Sequence, residues 1–308
     1  MTETPSPPLP DPRRERFDAT ADPCAGPPLS IGDCAVLACL WELAAAKPGN
    51  VYRGADFEDV TFADFAVSAT AIRQAMDDAA EIGVGPAVLA AVRATQAAVR
   101  SNTNLGMTLL MAPLAATPLP LVANLPRTLA ALTVADASAA FEAIRTARPG
   151  GLGSVAQHDV EATEEATVSL RDAMALAADR DLVARQYACD YLDVWEVAEA
   201  ILRGARRWSL EDAIVRAYVE LMARRPDTLI ARKCGLHVAQ EASVRAAAAL
   251  DSGEPGEGLY MGALSELDFW LRSDGHRRNP GATADVVAAA LFALLRERRI
   301  AWPVAFYR

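Results

Sequence analysis

At several points in this chain a serine or threonine stands three positions ahead of an aspartate at the head of an apolar run, among them Thr61 with Asp64, Thr133 with Asp136, and Ser209 with Asp212. At that spacing hydroxyl and carboxylate can satisfy each other's orphan backbone N–H groups, so it marks the start of a helix. The runs that follow keep helical spacing. After Thr61, the residues Phe65, Ala69, Ile72 and Met76 fall on one face. Pro86 sits where a first helical turn tolerates proline. No stretch alternates convincingly between apolar and polar, and no internal repeat is present. Alanine dominates a hydrophobic content of 52 %, while aromatics reach only 6 %, which favours helix over strand. The expectation is an all-α fold. A single large multi-helix domain covers 29–308 with its functional loops at helix ends, behind a disordered, proline-rich tail over 1–28. Predicted helices include 31–46, 161–178, 180–203, 227–250, 259–273 and 283–298.

Other features exclude function classes. A formal net charge of −10 argues against a broad nucleic-acid surface but leaves room for a local basic pocket. The five cysteines have irregular spacing and no CxxC pair, which speaks for a reducing, cytoplasmic compartment and against structural zinc. Arg13 and Arg14 precede no apolar stretch, so a twin-arginine signal is rejected. Residues 107–126 carry no charge, yet Pro113, Pro118, Pro120 and Pro126 interrupt them. A membrane-spanning helix would leave backbone groups unpaired there, so a buried helix and a turn are expected instead.

The informative residues gather where helices end. "KPGN" at 47–50 stops the first helix. "NTNLG" at 102–106 precedes the uncharged one and could cap it or present amides to phosphate. "RPGGLGSVAQHD" at 148–159 is glycine-rich and ends in His158 and Asp159. Its dinucleotide-motif reading fails because a helix precedes it. "ADRDLVARQY" at 178–187 sets Asp181 four residues before Arg185, on one helix face; a plain surface ion pair is the alternative. Near the C-terminus, Asp227 looks like a helix cap, with Arg232 and Lys233 downstream. Asn279, Pro280 and Gly281 precede Thr283, a candidate cap, and Asp285, a carboxylate inside an apolar helix. A buried carboxylate needs a partner or a metal, although a helix N-terminus could also stabilise it. Such loops suit a phosphate-rich ligand with a hard cation such as Mg²⁺.

In their order these loops resemble the triphosphoribosyl-dephospho-CoA synthase family. The matching pieces are "KPGNVYR" at 47–53, "FADFAVSATAI" at 62–72, "NTNLGMTLLMAPLA" at 102–115, "PGGLG" at 149–153, "DRDLVARQY" at 179–187, "PDTLIARKCG" at 226–235 and "NPGATADVVAAALF" at 279–292. The resemblance implies a pentosyltransferase. It would move the 5-triphosphoribosyl group of ATP to the 2′-hydroxyl of 3′-dephospho-CoA and release adenine, through an oxocarbenium-like state. It also implies the site residues. Asp159, Asp181 and Asp285 are expected to bind Mg²⁺ or act as acid and base. Expected at the substrates are Lys47, Gly49, Asn50, Arg53, Ser68, Asn102, Thr103, Asn104, Gly106, Gly150, Gly151, Arg185, Gln186, Tyr187, Asp227, Thr228, Lys233 and Asn279.

Some wording departs from the family. The citrate-lyase branch carries a histidine and a lysine where this chain has Asn104 and Leu105, and its "PKPGLVD" is here "AKPGNVY". The chain looks more like the divergent, archaeal-type branch. Two alternatives follow: a nucleotide-using enzyme of tetrahydromethanopterin or methanofuran-type coenzyme biosynthesis with another acceptor, or a non-catalytic nucleotide-binding helical protein. The expected partners are small nucleotides, ATP and dephospho-CoA, with no nucleic acid and no membrane; a homodimer is the candidate assembly.

Overall fold

A computed structural model describes Cys24, residues 26–99, 101–147 and 166–307. Gly150, Gly151 and Asp159 lie outside the described residues, as does most of the predicted tail; at the tail's end, the Cys24 amide donates to the Arg298 carbonyl. Among the described residues there are sixteen helices and no strand: α1 Ile31–Ala44, α2 Phe62–Ala71, α3 Arg73–Asp77, α4 Ala79–Ile82, α5 Val84–Val99, α6 Leu105–Ala116, α7 Leu121–Ala130, α8 Val134–Ala147, α9 Leu170–Ala177, α10 Leu182–Ala188, α11 Leu192–Ala205, α12 Leu210–Arg224, α13 Thr228–Cys234, α14 Leu236–Asp251, α15 Gly258–Arg272 and α16 Gly281–Arg296. The capping signals do their expected work. Thr61 and Asp64 form a reciprocal box, Thr133 and Asp136 bond each other's amides, and Ser209 accepts from the Asp212 amide.

Helix α16 runs through the centre. Every residue from Ala282 to Leu295 except Asp285 is buried, and the helix packs against α1, α6, α10, α11, α12 and α13. Alanines at Ala288, Ala289 and Ala290 leave room for that many neighbours. The uncharged α6 packs on it as a buried core helix. Pro113 has no N–H to give the Leu109 carbonyl one turn back. The Tyr187 hydroxyl donates to that carbonyl instead, at 2.6 Å, and Tyr191 to Leu110 at 3.1 Å. Arg296 from the end of α16 caps the last carbonyls of α6, donating to Leu114 at 2.7 Å. Among the described residues no single helix is long and apolar enough to cross a membrane; α6 and α7 pass that test only together, and they meet at 104°.

Four sequence readings are corrected. The run expected over 161–178 is, among its described residues, helical only over Leu170–Ala177, with Ser169 as its cap. The run predicted over 180–203 is two helices, broken where Asp190 and Tyr191 take left-handed φ of 50° and 64°. The turn is what brings both tyrosines to α6. The run over 227–250 breaks at Gly235, φ 95°. Thr283 is not the cap of α16: Pro280 holds that position, and Thr283 sits inside the first turn, bonded to Asp227.

Candidate active site

Where α6, α10, α13 and α16 begin, their ends surround a cleft of about 1040 Å³. Asp285, in the second turn of α16, is half-buried on its floor, open to the cleft and enclosed by protein elsewhere. Burial pushes its carboxyl well above the ordinary value of 3.8. Glu42, Asp227 and Asp181 push the same way, and Arg232 opposes them. Gly106 is what lets α6 come so close, since a Cβ there would lie 2.0 Å from Asp285 Oδ2. Glycine is required here for space. The loop before it is tied down from behind. Thr103 donates to the Ser68 hydroxyl at 2.5 Å, Asn104 donates to the Ser68 carbonyl at 3.2 Å, and Thr95 donates to Asn104 at 3.1 Å.

The opposite wall is cationic. Asp181 caps α10 with one oxygen, accepting from the Val183 and Ala184 amides at 2.8 and 3.0 Å; its other oxygen lies 3.4 Å from Arg232. Arg185 and Arg225 both reach the cleft from a shared anchor, each with Nε 3.2 Å from the fully buried Asp193 carboxylate. Burial alone would raise Asp193, but the Gln186 hydrogen bond and the two guanidiniums outweigh it and hold the carboxyl below its ordinary range. One carboxylate thus holds two guanidiniums and leaves positive charge for an anion. Lys233 is half-buried at the rim; burial, then neighbouring Arg232, depress its affinity for a proton. Among the described residues it makes no ion pair.

The structure sorts the expected residues. Asn50, Asn102, Thr103, Asn104, Gly106, Asp181, Arg185, Thr228, Lys233, Asn279 and Asp285 line the cleft. Seven others sit elsewhere. Lys47 is fully buried, its ammonium 3.0 Å from the Glu42 carboxylate and bonded to the Glu42 and Ala45 carbonyls, so it closes the end of α1. Burial pushes Lys47 down and Glu42 up, and their mutual attraction opposes both shifts. Gly49, φ 78°, packs against Leu271 and donates to Asp268 at 2.7 Å. Arg53 is exposed on a loop. Ser68, Gln186 and Tyr187 are buried and spent on Thr103, Asp193 and Leu109. Asp227 is fully buried; one oxygen caps α13, and the other accepts from the Thr283 amide and hydroxyl at 2.7 Å each. Desolvation raises its carboxyl despite those bonds. Sequence reasoning missed Glu42, Phe57, Arg180, Arg225 and His276, all at the cleft. Glu42 carried the same signal as Asp285, a carboxylate inside an apolar helix.

An acidic floor and a cationic wall meet at the mouth of an all-α bundle, a charge arrangement suited to a phosphorylated ligand. The model of the ATP:dephospho-CoA triphosphoribosyl transferase family matches residues 28–304, and the chain belongs to that family. Its fold is shared by a crystal structure from Archaeoglobus fulgidus, a candidate triphosphoribosyl-dephospho-CoA synthase, at TM-score 0.60 and 24 % identity over 75 % of this chain and 97 % of that one. No curated protein matches. The family match favours neither a one-carbon coenzyme acceptor nor a non-catalytic role.

Proposed function

We propose that the cleft transfers the triphosphoribosyl group of ATP to dephospho-CoA and that Asp285 is its base. The observation that carries this is the position of Asp285: a carboxylate of raised proton affinity, facing the cleft, in the helix that forms the core. A base held above the ordinary carboxylate range accepts a proton near neutral pH more effectively than a surface aspartate. The acceptor 2′-hydroxyl gives its proton to Asp285 as its oxygen bonds C1″ of the ATP ribose. The C1″–N9 bond breaks, its electron pair leaves with the purine, and the purine takes a proton from water to leave as adenine while Asp285 returns its own proton to solvent. Arg185, Arg225, Arg232 and Lys233 neutralise the two phosphate chains, and their preset positions supply the electrostatic stabilisation.

Magnesium fits this arrangement as a partner of the nucleotide. Among the described residues no three acidic, histidine or cysteine groups form a ready cage. Mg²⁺ is usually held by one or two carboxylates together with substrate phosphates. The Asp181 oxygen that does not cap α10, now 3.4 Å from Arg232, would be its protein ligand. When bound, the ion would neutralise triphosphate charge.

The test is Asp285→Asn. Adenine release should fall by about 100-fold or more with no loss of melting temperature. Activity within a few-fold of the unmodified protein would remove Asp285 from the mechanism.

A further inference from the structure

The cleft holds one polar atom that the protein leaves unanswered. Asn279 lines it, and its side-chain oxygen is shielded from solvent with no hydrogen-bond partner among the described residues. Buried acceptors are nearly always paired, and an unpaired one costs free energy until a donor arrives. The backbone around it is fixed. The Asn279 amide donates to the His276 carbonyl at 3.1 Å, and the Gly281 amide to the Asn279 carbonyl at 2.9 Å. The same turn places His276, φ 50°, against Phe57, ring centroids 4.7 Å apart and 23° from parallel, and both rings line the cleft. A carboxamide thus stands beside an aromatic platform, two residues before the helix that carries Asp285 in its second turn.

A planar heterocycle with an amino donor next to a ring nitrogen answers that arrangement. Stacking on the outer face of His276 extends the ring pair, the amino group satisfies the unpaired oxygen, and the ring nitrogen accepts from the carboxamide N–H₂. Adenine has that edge, and a carboxamide is the side chain that reads it in both directions. We infer that Asn279 reads the adenine of the donor nucleotide, with the outer face of His276, backed by Phe57, as its stacking surface, and so sets the base that leaves. This rests on the triphosphoribosyl transfer proposed above. Both substrates contain adenine, but only the donor needs its base read: ATP and the other ribonucleoside triphosphates differ nowhere else, whereas dephospho-CoA is distinguished by its pantetheine arm. The amide bond to the ring nitrogen also favours departure, since negative charge gathers on the purine as C1″–N9 breaks.

The experiment compares ATP with ITP, in which a carbonyl replaces the amino donor. Release of adenine or hypoxanthine is measured with dephospho-CoA and Mg²⁺, and the affinities of ATP and ITP are measured separately by calorimetry. The unmodified protein should favour ATP by about 10-fold or more in kcat/KM. Asn279→Leu should bring ATP down to the ITP level, leaving a ratio within about 2-fold. An unchanged ratio in Asn279→Leu overturns the assignment, as does a normal protein that uses ITP as well as ATP. So does a variant whose only defect is a raised KM for dephospho-CoA, which would place Asn279 at the acceptor. If the variant releases neither base, the calorimetric ratio decides: preference for ATP lost supports the inference, and preference kept overturns it. A protein that binds ATP over ITP through Asn279 but releases no adenine would sink the transfer reaction and leave the base contact standing.

Discussion

Asp285 and Gly106 act as one unit, because the helix carrying the carboxylate can approach α6 only where α6 has no Cβ. Gly106→Ala should cost about 1–3 kcal/mol in denaturant unfolding and depress activity, since the new methyl overlaps Asp285 Oδ2. A near-normal variant would mean that the two helices separate easily. Asp285 also leaves a pH signature. Its folded carboxyl titrates well above its ordinary value of 3.8. Below that ordinary value the group is protonated in both states and its full contribution to stability is present. As pH rises through the raised folded value, that contribution is lost. Asp285→Asn should therefore flatten part of the fall in melting temperature above pH 4, with Glu42 and Asp227, also raised, accounting for the rest. An identical slope in the variant would show that Asp285 ionises freely. At this scale the sequence was legible where chemistry is unusual. A lone carboxylate in "TADVVAAALF" marks itself, but "LWELAAAKPGN" hides its meaning, because whether Lys47 turns to Glu42 or to a ligand depends on where α1 ends in three dimensions.

Helix existence was readable from caps and spacing; helix breaks were not. Nothing local in 180–203 demands a turn at Asp190 and Tyr191. The turn accompanies a tertiary contact: Tyr187 and Tyr191 both reach α6, where Tyr187 satisfies the Leu109 carbonyl that Pro113 leaves free. Tyr187→Phe should cost about 1–3 kcal/mol for leaving that carbonyl bare, read by chemical denaturation; a neutral effect would mean that water or another donor replaces the hydroxyl. The buried ion pair at the end of α1 gives a second case. Lys47→Met alone should cost about 3–5 kcal/mol, because Glu42 is left charged and unpaired, while Glu42→Leu with Lys47→Met should recover most of it. Strict additivity of the two substitutions would refute the coupling. Lys47 and Asp227 were expected at the substrate and instead fasten elements together, Asp227 joining α13 to α16 just ahead of Asp285. Charged residues in glycine- and proline-rich turns look alike in sequence whether they face a ligand or hold a corner.

Across the whole molecule, ends of distant segments converge because α16 is buried almost throughout and its neighbours must stop around it. The order of the loops along the chain revealed the family, but only the packing separates cleft-lining residues from those behind them. The net charge of −10 is compatible with an anionic substrate because Arg185, Arg225, Arg232 and Lys233 concentrate positive charge at one mouth. Affinity for ATP should therefore weaken steeply with added salt, and chelating Mg²⁺ should abolish turnover while the fold persists by circular dichroism; turnover insensitive to chelation would remove the metal from the account. The most direct measurement is chromatographic analysis of the full-length protein incubated with ATP, Mg²⁺ and dephospho-CoA. The expected result is adenine released in equal amount to a product whose mass is dephospho-CoA plus the triphosphoribosyl group. Intact ATP under all conditions, or ADP or AMP in place of adenine, would contradict it.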